Sequence, residues 1–380
     1  QQAVEELRER LVCVSETLSA HPEVAFEEFE SMKLLADTAE KHGFQVERGI
    51  ADLPTAFRAT RSGVGPGPRI AILAEYDALP GLGHACGHNL IAAASLGAAL
   101  ALSRLMDRLP GQIVLLGTPA EEKGGGKMLM VDRGVFRNVD MAMMVHPSVY
   151  NMVSRKSLAS HNLIFEYFGK AAHAAAAPDE GINALNAVIA LFNLVNAMRG
   201  HLPDGVRIHG IILHGGEAHN IVPDYASAQF SVRTPTSAMA GGIVEKVITC
   251  ARAAAMATGA RLEYEEVYHY DNMVPNPILG DLFRANLEAL GRIVTEPEEN
   301  GRMGSTDMGN VSHIVPAIHP YIQIADEGVA GHTPEFREAA ISPRGHQGLI
   351  DAAKAMAMTA VDLLTAPGLI EEVRAAFRPA

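Results

Sequence analysis

The strongest constraint on the fold of this chain is the way its apolar runs alternate in kind. Strand-like runs, "RIAILAEYD" (69–77), "GQIVLLGTPAEE" (111–122) and "VDMAMMVHP" (139–147), alternate with helical sequence, most plainly "LIAAASLGAALALSRLM" between the first two. Strand–helix–strand units of this kind build a parallel or mixed sheet with helices on both faces. Two helices precede them. Val4, Leu7, Leu11, Val14 and Leu18 recur at three- and four-residue spacing and predict a helix from about Val4 to Leu18. "FEEFESMKLLADTAEKHG" predicts another, closing at Gly43.

The pattern changes near Ser157. "HNLIFEYF" (161–168) reads as a strand, "PDEGINALNAVIALFNLVNAMRG" as a helix with Pro and Asp at its start, and "VRIHGIILH" (206–214) as a strand. "YASAQFSVR" (225–233) alternates strictly, with Ala226, Ala228, Phe230 and Val232 on one face and Ser227, Gln229, Ser231 and Arg233 on the other. A helix, "SAMAGGIVEKVITCARAAAMATG", and a strand, "RLEYEEV", complete the order βαββαβ, which is the ferredoxin-like plan. "LGDLFRANLEALG", the strand "HPYIQIA" (319–325) and a final helix near 346–365 then return to the first style. The expectation is one α/β domain formed by 1–156 and 271–380, with an α+β domain, 157–270, inserted into it.

Composition narrows the function. The net charge is −13, from 31 basic and 44 acidic residues, which argues against nucleic-acid or anionic-membrane partners. The longest uncharged apolar run, Leu90 to Ser103, is too short to span a bilayer and suits a buried helix. Cys13, Cys86 and Cys250 are too few, and odd in number, for a disulfide framework, so a reducing, cytoplasmic setting is expected. The N-terminus lacks the layout of a signal peptide, and it begins at Gln1 instead of Met, which leaves room for an upstream segment.

The chemistry collects at the ends of the strand-like runs. "AILAEYD" delivers Glu75 and Asp77, and the loop beyond carries His84, Cys86 and His88. "IVLLGTPAEE" delivers Glu121 and Glu122, "AMMVHP" delivers His146, and "YIQIADEGVAGHTPEF" leads to His332. The carboxy-terminal edge of an open α/β sheet is where such folds bind ligands, and Asp, Glu, His and Cys are metal-site residue types. Singly, each has a plain alternative: a packed Cys, a hydrogen-bonded loop His, a solvated Glu pair. In a loop, paired glutamates can straddle a site, one ligating metal while the other takes a proton from activated water.

These motifs, in this order, resemble the aminoacylase-type amidohydrolases with two catalytic metals, a metallopeptidase family that includes glutamate carboxypeptidases and auxin-conjugate hydrolases. The resemblance runs from "HPEVAFEE" through "AEYDALPGLGHACGHNL", "GTPAEEKGGGK", "MVHP", "GKAAHAAAAP", "HGGEAHNIVPD" and "GSTDMGNVS" to "GHTPEF". "HACGHNL" beside "EYDALP" looks most like the aminobenzoyl-glutamate hydrolase and β-alanyl dipeptidase branch.

The resemblance implies a zinc-peptidase-like catalytic domain carrying a dimerisation or lid domain, and a likewise dimeric enzyme. It implies Cys86, His88, Glu122, His146 and His332 as metal ligands, Glu121 as general base and Asp77 as the acid that orients a ligand. His173 matches an oxyanion-stabilising histidine that reaches the partner subunit, and Asn220 and Arg233 match residues that hold the scissile carbonyl and the substrate carboxylate. Two divalent ions, zinc or manganese with cobalt and nickel as alternatives, would serve hydrolysis of an amide next to a free carboxylate in a small substrate. Glu75 stands where many relatives have His and is left out of the ligand set; His84 reads as a loop residue or as a support behind the ligands, and Asp307 as near the site without a role. Three other readings stay open: a ligand clamp without chemistry, an exopeptidase for longer peptides, and a thiol amidase using Cys86 as nucleophile.

Overall fold

The structure, a computed structural model, describes residues 1–296, 303–366 and 368–378; positions 297–302, 367 and 379–380 of the expected 271–380 segment lie outside the described residues. The chain opens with α1 (Gln2–Glu5), α2 (Arg8–Ala20), α3 (Phe29–Lys41), β1 (Gln45–Arg48), β2 (Phe57–Ser62), β3 (Arg69–Glu75), α4 (His88–Ser103), β4 (Gln112–Thr118), α5 (Gly126–Asp132), β5 (Met141–Met143) and β6 (His146–Ser148). There follow β7 (Ala159–Phe168), α6 (Ala184–Met198), β8 (Arg207–His214), β9 (Tyr225–Thr234), α7 (Ser237–Thr258) and β10 (Arg261–Tyr270). The chain closes with α8 (Pro277–Ala289), α9 (Met308–Ser312), β11 (Ala317–Ile318), β12 (Tyr321–Gln323), α10 (Pro334–Ala340), α11 (Pro343–Thr365) and α12 (Leu369–Ala376). Its described residues divide into two units: Gln1–Lys156, Met273–Met303 and Asp307–Ala380 form one, Ser157–Asn272 and Gly304–Thr306 the other.

The first unit is built on a mixed six-stranded sheet in the order β1-β2-β4-β3-β5-β11. β2 runs antiparallel to β1 and β4, while β4, β3, β5 and β11 run parallel. The uncharged run behaves as its composition demands: all of α4 is buried, because a helix apolar on every side is stable only when covered all round. β3 and β4 are buried on both faces, so they read as continuous apolar runs without alternation. Among the described residues no helix is long and apolar enough to cross a membrane.

Several boundaries differ from the sequence expectation. The first helix breaks at Glu6–Leu7, where a tight turn, Leu7 N–H to Val4 O at 3.0 Å, still lets Val4, Leu7 and Leu11 all be buried. The second starts at Phe29, since Phe26 and Glu28 have non-helical backbone. "VDMAMMVHP" contributes to two sheets: its β5 pairs β11, just ahead of "HPYIQIA", in the large sheet, whereas β6 pairs β12, the shorter strand inside "HPYIQIA", in a separate parallel ribbon. β1 and β2 were not expected; β1 is short, mostly exposed and lies at the sheet edge, so it carries little apolar pattern.

The second unit is a four-stranded antiparallel sheet in the order β10-β7-β9-β8, the ferredoxin-like arrangement, with α6 and α7 packed on it. The alternation read in β9 is real, since Ala226, Ala228, Phe230 and Val232 are all buried in the core with Leu163, Phe165 and Tyr167 of β7. α6 begins later than expected. Pro178 and Asp179 open a separate 3₁₀ turn, and the Asn183 side chain caps α6 by accepting from Asn186 N at 3.0 Å.

Candidate metal centre and active site

The carboxy-terminal ends of β3, β4 and β5 bring the first unit's predicted residues together. Gly87 makes the turn into α4: its φ is +82°, and a Cβ there would lie 2.8 Å from Pro147 Cγ, so only glycine fits. On either side of it, Cys86 faces β6, with Sγ 3.4 Å from His146 Nε2, and His88 begins α4. His88 is therefore the first helical residue and not part of the loop, contrary to the sequence reading; the turn at Gly87, not loop flexibility, aims both side chains inward.

Both imidazoles are oriented by backbone carbonyls. His88 Nδ1 lies 2.8 Å from Asp77 O, and His146 Nδ1 lies 2.7 Å from Pro147 O. A carbonyl only accepts, so each Nδ1–H is committed and each Nε2 is left facing the cluster, the arrangement typical of metal-ligating histidines. Asp77 also accepts from Glu122 N at 2.9 Å, tying the end of β3 to the glutamate turn.

That turn separates two adjacent side chains. Ala120 has a left-handed φ of 60°, and Gly125 N and Gly126 N both donate to its carbonyl, at 3.0 and 3.2 Å. Glu121 then groups with Glu75 and His88, while Glu122 groups with Cys86 and His332. His332, with φ 61°, donates its N–H to Ala85 O at 2.9 Å, and its Nε2 lies 3.3 Å from Glu122 Oε1.

Four residues without an assigned role, Glu75, Lys127, Asp307 and His319, are built into the floor of the site. Lys127 is fully buried, its ammonium bonded to Glu75 Oε2 and, at 2.7 Å, to Asp307 Oδ1, while its N–H donates to Asp307 Oδ2 at 2.9 Å. His319, also buried, packs its ring edge-on to His146, with centroids 5.5 Å apart. Glu75 sends its other oxygen to within 2.9 Å of His88 Nε2.

The electrostatics follow from crowding. Burial opposes ionisation of Cys86, but the His146 and His88 charges outweigh it and hold the thiol at about 6. Hydrogen bonds to Cys86 and Glu122 raise His332 to about 10. Burial, then the charges of Glu75, Asp307 and Glu122, push the Glu121 carboxyl well above the usual range. Burial works against the charge on Glu75, yet Lys127 and His88 hold it well below that range. Burial raises Asp307 to about 6 despite Lys127, and burial followed by His146 lowers His319 to about 3.

The donors fit divalent metal ions. Cys86, His88 and His146 offer ligand atoms within 4.8 Å of one another, and so do Cys86, Glu122 and His332, with Cys86 common to both groups. The buried atoms His88 Nε2, Glu75 Oε1 and Glu122 Oε1 face one another, with His88 Nε2 2.9 Å from Glu75 Oε1 and 3.8 Å from Glu122 Oε1, a crowding of ligand atoms that a cation between them would satisfy. A mixed sulfur, nitrogen and oxygen set suits borderline ions such as zinc.

The second unit carries the other three predicted residues. His173 and Asn220 lie on neighbouring backbones, through a bridge from His173 to Ile221 and an Ala174 N to Asn220 O bond of 3.0 Å. His173 Nδ1 accepts from Ala175 N and Ala176 N at 3.3 and 3.2 Å, which places its proton on Nε2. Arg233 lies on the face of β9 opposite the core and donates to Ser305 Oγ at 3.4 Å.

A profile of Peptidase family M20/M25/M40 matches residues 71–353. The chain belongs to this family. It is 40% identical to the Xaa-Arg dipeptidase of Mus musculus over 395 residues, 99% of this chain and 90% of that one. It is 30% identical to one of the subunits of the p-aminobenzoyl-glutamate hydrolase of Escherichia coli K12, covering 97% of this chain and 92% of that one. In structure it resembles a dinuclear metal-binding peptidase of the same family from Bacillus subtilis, with TM-score 0.68 and 22% identity over 95% of this chain and 99% of that one. This peptidase-family chain is thus a hydrolase on a mixed α/β fold.

Proposed function

We propose that this enzyme is a metal-dependent amidohydrolase that cleaves the amide bond of dipeptides, N-acyl amino acids or aminobenzoyl-glutamate-like conjugates and releases a free amino acid. The observation that carries the reading is the convergence of Cys86, His88, Glu122, His146 and His332 around one turn that also presents Glu121. The names of the dipeptidase and aminobenzoyl-glutamate hydrolase relatives support the substrate class. The five residues would hold two divalent ions, zinc or manganese, with cobalt or nickel as alternatives. Bound ions of this kind lower the pKa of water and polarise a carbonyl.

The chain's own groups do the rest. Glu121, presented as a carboxylate beside the two ligand groups, takes the proton of the attacking water and later gives it to the leaving amine. Asp77 keeps His88 and the glutamate turn in register. The Nε2–H of His173 donates to the carbonyl oxygen as that atom gains negative charge, with Asn220 beside it. Arg233 takes the substrate carboxylate with its planar guanidinium. The second unit would act as the lid and dimerisation domain of a homodimer. Its edge strand β8 exposes Ile211, Ile212 and Leu213, an apolar edge of the kind that pairs with another chain, and His173 would then serve the partner subunit's site. The three free cysteines fit a cytoplasmic setting.

The test is hydrolysis of a panel: dipeptides ending in Arg and in other residues, aminobenzoyl-glutamate, and N-acetyl amino acids. Wild type and Glu121→Gln are compared before and after chelation and metal return. Cleavage that needs both metal and Glu121 is the expected result. Activity that survives complete metal removal would sink the reading.

A further inference from the structure

Five non-glycine residues among those described have a left-handed backbone: Phe26, Ala51, Asp52, Ala120 and His332. Two of these, Ala120 and His332, belong to the site. Phe26, far away in sequence, belongs there as well. Glu27 N donates to Val24 O at 2.9 Å, so Ala25 and Phe26 are the central pair of a β-turn. Positive φ at the second central position is a slot that sterics reserve for glycine or asparagine, and a phenylalanine there is a true outlier. Strain of this kind persists where the side chain is needed.

The side chain's use is visible. The Phe26 ring lies on Gly124, where a Cβ would come within 2.4 Å of its Cε2 and 2.8 Å of its Cζ. Gly124 closes the turn that carries Glu121 and Glu122. The same segment grips the turn at its other end, since buried Glu28 accepts from Ala120 N at 2.9 Å. It also holds the end of β3: Ala78 N donates to Glu23 O at 2.7 Å, and Val24 bridges Ala78, next to Asp77. The segment is itself anchored, because the Glu23 carboxylate accepts from Glu30 N and Ser31 N at 3.0 and 2.7 Å at the start of α3. Yet Phe26 is 37% exposed, too open to be a mainstay of the core.

We propose that Phe26 is a positioning residue, the pin of a clamp formed by residues 23–28 that fixes the Glu121–Glu122 turn against Asp77. The proposal rests on the reading of Glu121 as base and Glu122 as ligand. It makes an unusual demand. Phe26→Gly relieves the strained backbone while removing the pin, so stability and activity should move apart.

The experiment measures Tm, kcat and KM, and the affinity of the metal-free protein for manganese by calorimetry. It uses wild type, Phe26→Gly, Phe26→Leu and Glu121→Gln. Phe26→Gly is expected to keep or raise Tm, while kcat and manganese affinity each fall about ten- to hundredfold and KM moves by less than about threefold. Phe26→Leu, which refills the space over Gly124, is expected to recover most of both. Wild-type kcat and manganese affinity in Phe26→Gly would overturn the clamp. So would a loss of Tm that matches the loss of activity, which marks a merely structural residue, or a rise in KM alone, which marks a substrate contact. If Glu121→Gln is inactive while Phe26→Gly behaves as wild type, the clamp fails and the base assignment stands. If Glu121→Gln turns over normally, the base assignment fails and the clamp falls with it.

Discussion

Glu28 offers a sharp test of the electrostatics beneath the site. The side chain is fully buried; Oε1 accepts from Ala120 N at 2.9 Å, and Oε2 has no hydrogen-bond partner among the described residues. Burial, then the nearby Asp77 charge, raise its carboxyl from 4.5 to about 7. Between those values the folded chain holds a proton that the unfolded chain has released. Stability from this group is therefore fully present below 4.5 and lost as pH rises through about 7. From 4.5 to about 7, at about 1.4 kcal/mol per pH unit, the loss amounts to about 3 kcal/mol by pH 8. Glu28→Gln keeps an oxygen for Ala120 N and cannot ionise. The variant should match wild type near pH 4 and exceed it by about 3 kcal/mol near pH 8. The assay is urea unfolding followed by far-ultraviolet circular dichroism, in chelator, so that metal linkage does not enter. Stability curves of variant and wild type that run parallel across this range would refute the reasoning, as would a variant less stable at pH 8.

Two further outcomes are expected. Lys127→Met leaves Glu75 and Asp307 buried without their shared cation, and should cost about 3–5 kcal/mol in urea unfolding; a change under about 1 kcal/mol would show that the pair does not depend on Lys127. If the proposed homodimer forms through β8, Ile212→Lys places a charge on its exposed edge and should give folded monomers in sedimentation where wild type gives dimers; a variant dimer like the wild type's would refute an interface at β8.

Glycine spacing, apolar alternation and strand-end chemistry are local properties, and these were legible in the chain. β9 shows its two faces residue by residue, because side chains alternate across a strand whatever it pairs with. The uncharged run of α4 announces its own burial, and the residues that end β3 and β4 announce one edge of a sheet. From these, the convergence of Cys86, His88, Glu121, Glu122 and His146 could be anticipated, with His332 added by its motif. Division of "VDMAMMVHP" between two sheets could not, because the two pieces are separated by only two residues and it is their partners, β11 and β12, that assign them to different sheets.

The charged floor of the site was decided by tertiary structure alone. Lys127 sits in "EEKGGGK", where a lysine ordinarily reads as solvated, and its counter-charges Glu75 and Asp307 stand 52 and 180 residues away. Glu28 likewise sits in an "FEEFE" run that looks exposed until the glutamate turn closes over it. His319 carries no local sign that it will face His146. Sequence periodicity records which way a side chain points from its own backbone. Whether a charge there is solvated or buried depends on segments brought together from a distance, and that depends on the folded packing.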